Sequence, residues 1–133
     1  MASGSCACKY IKYTTSVPPT RLSNCHCTTC RKQSGAPYLA FVHFPTGTIQ
    51  WQTNPTEWKS SDTASRTFCP RCGSVLSMKV YSMPDVEEVA AGTLDDDVKG
   101  LIPPPSAHIF LAEKASWYEL PEDGAERFDE WSQ

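Results

Sequence analysis

Seven cysteines in three tight groups constrain this chain more than any other feature. They read Cys6-Ala7-Cys8, Cys25-His26-Cys27-Thr28-Thr29-Cys30 and Cys69-Pro70-Arg71-Cys72-Gly73. The opening residues, Met1 to Cys6, have neither a basic start nor an apolar stretch, so no secretory leader is expected. An odd cysteine count without a leader argues against a disulfide framework and for metal or thiol chemistry in a reducing, cytoplasmic setting. The apolar core is also lean: Leu, Ile, Val and Phe make up 23 of 133 residues. That falls under the roughly 20 % line at which disorder is suspected. Disorder also needs a high net charge, and here it is only −3. Metal cross-links are the natural supplement to such a core.

Spacing suggests how the sulfurs divide. In Cys69-Pro70-Arg71-Cys72-Gly73, two thiolates can reach one ion from a tight turn that the following glycine makes accessible. Cys6 and Cys8, if on a strand, point to one face and can share an ion. A closed tetrahedral site of Cys6, Cys8, Cys69 and Cys72 follows, leaving Cys25, Cys27 and Cys30 as three ligands with one open position, the arrangement of a catalytic zinc. A rival partition pairs Cys27 and Cys30 with Cys69 and Cys72, and spacing alone does not separate the two. His26, between two ligands, is expected to point away from them and at most to line the site.

Charge is unevenly distributed. Residues 1–80 carry nine Lys and Arg against Glu57 and Asp62, whereas residues 81–133 carry three against thirteen carboxylates. Seven thiolates on two zinc ions would leave the first part near +4, a surface suited to a small anion. Nucleic acid is not expected as a partner, because the basic residues form no dense run and the whole chain is acidic. No apolar run of about 18 residues exists, so no membrane-spanning helix is expected. The acidic stretch from Glu119 to Glu130 reads as a solvated surface segment.

The rest reads as short strands in one domain, 1–133, with mainly β architecture. Expected strands are Cys8–Tyr13, Tyr38–Phe44 (apolar on both faces, hence central), Ile49–Trp51, Val75–Tyr81, Val86–Leu94 with a turn at Asp95–Asp97, and His108–Leu111. Arg31 to Gly35 is expected to form one helical turn, and the eleven prolines exclude long helices. Phe41, Trp51 and Trp58 are expected in the core, and His108 as a structural histidine.

Taken together the motifs resemble those of the glutathione-dependent formaldehyde-activating enzyme family, which includes the centromere protein V group. The residues that carry the resemblance are Gly4-Ser5-Cys6-x-Cys8, Cys25-His26-Cys27-x-x-Cys30-Arg31-Lys32 and Ser34-Gly35-Ala36-Pro37. It continues through Arg66-x-Phe68-Cys69-x-x-Cys72-Gly73-Ser74-x-Leu76, His108-Ile109-Phe110 and Lys114-Ala115-Ser116-Trp117. In the last segment relatives often place a proline before the tryptophan.

The resemblance implies several small coiled antiparallel sheets stapled by zinc. It also implies two zinc ions per chain, one structural on Cys6, Cys8, Cys69 and Cys72 and one catalytic on Cys25, Cys27 and Cys30. The implied activity is that of a carbon–sulfur lyase or synthase joining glutathione to formaldehyde or another small electrophile. Glutathione has two carboxylates and one ammonium, so Arg31, Lys32 and Arg66 are the cations expected beside it, with Ser34 and Gly35 offering hydroxyl and N–H contacts. Two other readings stand: the same site acting on a larger glutathione conjugate, and a zinc-stapled binding module without catalysis. Oligomeric state is not legible.

Overall fold

Strand Leu39–Pro45 (β4) shows how the alternation of side chains organises the protein. Phe41 points to one face of the sheet and Val42 and Phe44 to the other, and all three are buried. A strand covered on both faces must lie inside a sheet with layers on each side, and β4 does. The computed structural model describes residues 2–95 and 100–131.

The strands follow in chain order. Ala2–Ser5 (β1), Lys12–Thr15 (β2) and Arg21–Cys25 (β3) precede helix Thr28–Ser34 (α1) and β4. Ile49–Trp51 (β5), Thr56–Trp58 (β6), Ala64–Phe68 (β7), Val75–Val80 (β8), Val86–Ala90 (β9), Ala107–Ile109 (β10) and Glu126–Arg127 (β11) complete the set among the described residues. Strands β1, β2 and β5 form a small antiparallel sheet, and the others form an eight-stranded sheet in the order β11-β10-β3-β4-β9-β8-β7-β6.

The mainly β architecture is as expected, and two features of the larger sheet were not. It gathers eight strands, and β10 runs parallel to both β3 and β11. Parallel pairing requires a long connection between strands, and the Pro103–Pro105 approach to β10 belongs to one. The turn expected at Asp95–Asp97 falls partly outside the described residues.

One core lies between the two sheets, where Tyr13 and Ile49 meet Leu22, Val42, Phe44 and Val89. The opposite face of the large sheet buries Cys25, Cys30, Phe41, Met78, Val80 and Ile109. A third cluster of Cys6, Ile11, Cys69 and Leu76 is centred on two of the expected metal ligands. Thus cysteine sulfur substitutes for hydrocarbon at two of the three places where the lean core is assembled.

Several expectations need correction. Cys6 and Cys8 lie in a tight loop rather than on a strand: the Lys9 N–H donates to the Cys6 carbonyl, Lys9 takes a left-handed φ of 67°, and β2 starts only at Lys12. Helix α1 begins at Thr28 rather than Arg31, because the Cys27 sulfur caps it by accepting from the Cys30 N–H. Gly35 ends it with a left-handed φ of 69°. The strand after Val86 stops at Ala90 and passes into a 3-10 turn, Ala91–Thr93. Phe41 is in the core and Trp51 is half-buried, but Trp58 lies exposed on edge strand β6. The acidic C-terminal stretch is mostly exposed, yet it is docked: β11 pairs with β10, and the Phe110 and Leu111 N–H groups donate to the Glu130 and Phe128 carbonyls.

Candidate metal centres and active site

Two groups of sulfurs converge, and they follow the first partition. Cys6, Cys8, Cys69 and Cys72 lie with all four sulfurs within 4.8 Å of one another, as do Cys25, Cys27 and Cys30. The structure does not bring Cys27 and Cys30 into one group with Cys69 and Cys72.

The four-sulfur group joins the Cys6–Ile11 loop to the turn after β7. The Cys6 sulfur lies 3.7 Å from that of Cys8, and Cys8 lies 3.8 Å from Cys69. Sulfurs placed tetrahedrally about 2.3 Å from a zinc ion stand roughly 3.8 Å apart, so the donor set fits zinc in both chemistry and spacing. Backbone N–H groups point at these sulfurs, Ile11 to Cys6 at 3.2 Å and Arg71 to Cys69 at 3.4 Å. Gly73 has φ 79° and donates its N–H to the Cys69 carbonyl, which closes the knuckle. The Ser74 hydroxyl, 3.1 Å from the Cys72 sulfur, is the main reason that thiol is held down to about 5.

The three-sulfur group comes from one short stretch. Cys25 ends β3, Cys27 caps α1, and Cys30 sits in the first turn of α1. Arg66, projecting from β7, is 5 % exposed and donates to the Cys30 sulfur at 3.3 Å and to Gln33 Oε1 at 3.0 Å. Its other terminal nitrogen lies 4.0 Å from the Cys27 sulfur. Burial alone would weaken the guanidinium charge, but the Cys30 and Cys27 sulfurs outweigh it and raise the Arg66 pKa. Crowding separates the thiols. Contacts from Cys25 and Cys30 hold Cys27 down to about 2, while contacts with Cys27 and Cys30 push Cys25 up.

His26 turns away from the sulfurs. Its Nε2 lies 2.9 Å from Nδ1 of His108, whose Nε2 lies 2.8 Å from Asp123 Oδ2. The Asp123 carboxylate can only accept, so His108 carries its proton on Nε2 and receives the Nε2–H of His26 at Nδ1. Burial, then the neighbouring His108 and Lys114, lower the His26 pKa to about 4, so the inner imidazole is neutral at physiological pH. The hydrogen bond from His108 Nε2 holds Asp123 below the usual carboxylate range. His26 and His108 are both fully buried, and they tie the cysteine loop to the C-terminal stretch.

Beside the trio lies a cavity of about 190 Å³, with Cys25, Cys27, Thr29, Arg66, Glu113 and Trp131 among its walls. Of the cations and polar groups expected around glutathione, only Arg66 lines it. Lys32 is exposed, and the Arg31 carbonyl accepts from the Gly35 N–H at the helix end. Ser34 donates to the Cys30 carbonyl at 2.7 Å and lines a different cleft, shared with Cys72 and Ser74. Adjacency to Cys30 in sequence misleads here, because the helix carries successive residues around its axis. Glu113 and Trp131 carried no sequence signal. Glu113 accepts from the Thr28 N–H at the start of α1 at 2.9 Å, and a capping acid so distant in sequence has no local pattern. No helix among the described residues is long and apolar enough to cross a membrane.

Fold and site together define a mainly β protein built around one four-cysteine cage and one three-cysteine cluster at a cavity. The sequence profile of the glutathione-dependent formaldehyde-activating enzyme family matches residues 1–113, and the chain belongs to that family. An uncharacterized lyase of Schizosaccharomyces pombe is 36 % identical over 73 residues, 55 % of this chain and 53 % of that protein. The chain thus spans about half the length of this curated relative. The crystal structure of a Rhodobacter sphaeroides protein superposes with a TM-score of 0.61 at 18 % identity, covering 75 % of this chain and 97 % of that one. That likeness is one of fold.

Proposed function

We propose that residues 1–133 act as one zinc-binding domain that joins the thiol of glutathione to formaldehyde or another small electrophile, forming or breaking a carbon–sulfur bond. The observation that carries this reading is the Cys25, Cys27 and Cys30 cluster. Three sulfurs meet beside a cavity, and among the described residues no fourth Cys, His or carboxylate completes the set. Three protein ligands and one open position characterise catalytic zinc, whereas four close a structural site. Cys25, Cys27 and Cys30 would hold the catalytic ion, and Cys6, Cys8, Cys69 and Cys72 the structural one.

A free thiol, with a pKa of about 8.5, is mostly protonated at neutral pH and nucleophilic only as thiolate. A zinc ion bound at the trio supplies the positive charge that keeps an incoming thiol deprotonated. The chain's residues supply the rest. The Arg66 guanidinium offsets negative charge on Cys30 and Cys27 and sits in the cavity wall, where it meets an anionic peptide. Met78, Val80 and Phe110 give the same cavity an apolar side that limits water. In the forward direction the glutathione sulfur bonds to the carbonyl carbon. The carbonyl oxygen becomes a hydroxyl, taking up one proton for the one the thiol released. The product is S-hydroxymethylglutathione.

The test is the rate of glutathione consumption with formaldehyde and with bulkier aldehydes, compared with the uncatalysed rate. Acceleration with formaldehyde, lost in Cys27→Ser, supports the reading. Acceleration only with bulkier acceptors would move the substrate to a larger conjugate. No acceleration with any acceptor would leave a zinc-stapled binding module.

A further inference from the structure

The face of the large sheet that carries Cys25 does not stay apolar. Arg21 and Ser23 share that face with Cys25, because alternate residues of a strand point the same way. Arg21 pairs across with His43, and His43 with Glu88 on the next strand. Three neighbouring strands therefore place Arg21, Ser23, His43 and Glu88 in one polar island, whereas Phe41, Met78 and Ile109 on the same face are core. The island walls a cavity of about 320 Å³. Trp131 lines both this cavity and the one at the cysteine trio, so the two adjoin.

The chemistry of the island is unbalanced. His43 Nε2 lies 3.0 Å from Glu88 Oε1 and 3.1 Å from the Ser23 hydroxyl. Glu88 is 3 % exposed, and its second carboxylate oxygen, Oε2, is buried without a hydrogen-bond partner. A carboxylate can accept several hydrogen bonds, and an unmatched buried acceptor is destabilising. Glu88 lines the cavity, so rotation of its carboxylate toward the cavity would let a ligand supply the missing donor. On the same wall stands the opposite charge, Arg21, whose Nε donates to the Ser106 hydroxyl at 3.0 Å.

We propose that this second cavity binds the zwitterionic α-amino-acid end of a thiol peptide whose sulfur lies at the Cys25, Cys27 and Cys30 cluster. The inference rests on the reading under Proposed function, in which that end is the γ-glutamyl group of glutathione. Glu88 takes the ammonium and Arg21 the α-carboxylate. The span is compatible once side-chain reach is added: the four residue steps from Cys25 to Arg21 cover about 13 Å of strand. An extended glutathione reaches a comparable distance, about 10 Å from sulfur to γ-glutamyl nitrogen. Trp131, stacked edge-on against Phe110 at 4.7 Å, stands between the two cavities and offers an apolar surface to the γ-glutamyl methylenes.

The experiment compares binding of glutathione with that of glutaryl-cysteinylglycine, which lacks only the ammonium, by calorimetry on the zinc-loaded protein. The parent protein is expected to prefer glutathione about tenfold, the scale of one charged hydrogen bond. In Glu88→Gln that preference is expected to collapse toward unity. Arg21→Gln, at a partly exposed position, is expected to weaken both peptides several-fold and keeps the proposal testable should Glu88→Gln fail to fold. Equal binding of the two peptides by the parent protein, or an unchanged preference in folded Glu88→Gln, would overturn the subsite and leave the reaction assignment standing. If neither peptide binds the parent protein, the glutathione reading itself falls, and the subsite with it.

Discussion

The two cysteine groups offer the same donor atom in different settings, and what separates them is sequence distance. The four-sulfur cage joins residues 61 apart, Cys8 and Cys69, and so connects the loop between β1 and β2 of the small sheet to the turn after β7 of the large one. Closing a loop of that length removes much freedom from the unfolded chain. The three-sulfur cluster draws on a single six-residue stretch, Cys25 to Cys30. Tying so short a segment to an ion constrains the unfolded chain little. The surroundings differ accordingly. In the cage, backbone N–H groups reach the buried Cys6 and Cys69 and the Ser74 hydroxyl contacts the exposed Cys72, whereas the trio is backed by the buried Arg66 and faces a cavity. On the function proposed above, the site that joins remote segments serves stability and the local, charged and open one serves chemistry.

Mutation should split the two regions. The largest effect is expected from Cys69→Ser, which opens the cage. Structural zinc binding is folding free energy, so the loss is expected to approach the whole stability of such a domain, about 5–15 kcal/mol. Circular dichroism would show no cooperative melt, and a melt near that of the parent protein would break the comparison.

Cys27→Ser should do the reverse, leaving the melting temperature within a few degrees of the parent while lowering kcat/KM at least about 100-fold, near 3 kcal/mol of transition-state stabilisation. A smaller step is expected from Arg66→Gln. Groups that orient and charge-balance metal ligands typically contribute about 10–100-fold in metal affinity, so zinc competition with a chelator should weaken at the trio and not at the cage. Smallest is Asp123→Asn, which disturbs the His108–His26 chain at its exposed end. A loss of about 1 kcal/mol should appear as faster amide exchange around Cys25 to Cys30, with the Cys6–Ile11 loop unchanged.

Legibility in the sequence followed the same division. Cysteine spacing fits both groups, because ligand spacing is a local property that tight turns enforce. The buried strands β4, β5, β8 and β9 were visible through their apolar runs or alternation. Strands β6 and β7, Thr56–Trp58 and Ala64–Phe68, were not. The first is exposed throughout, and the second buries Ser65 and Arg66, so neither shows an apolar pattern. Cys8–Tyr13 reads as one strand because β-prone Tyr10 and Ile11 follow the ligands, whereas the turn that occupies its first half depends on the left-handed Lys9. Contacts across the chain were illegible for the same physical reason. His26 meets His108 across 82 residues and Thr28 meets Glu113 across 85, and no local periodicity encodes either pairing.

Native mass spectrometry of the freshly reduced protein, with and without glutathione, tests the division of labour most directly. Two zinc ions per chain are predicted, falling to one in Cys27→Ser, together with a glutathione adduct that the same substitution abolishes. A single zinc ion in the parent protein, or an adduct that survives in Cys27→Ser, would contradict an open metal site at Cys25, Cys27 and Cys30.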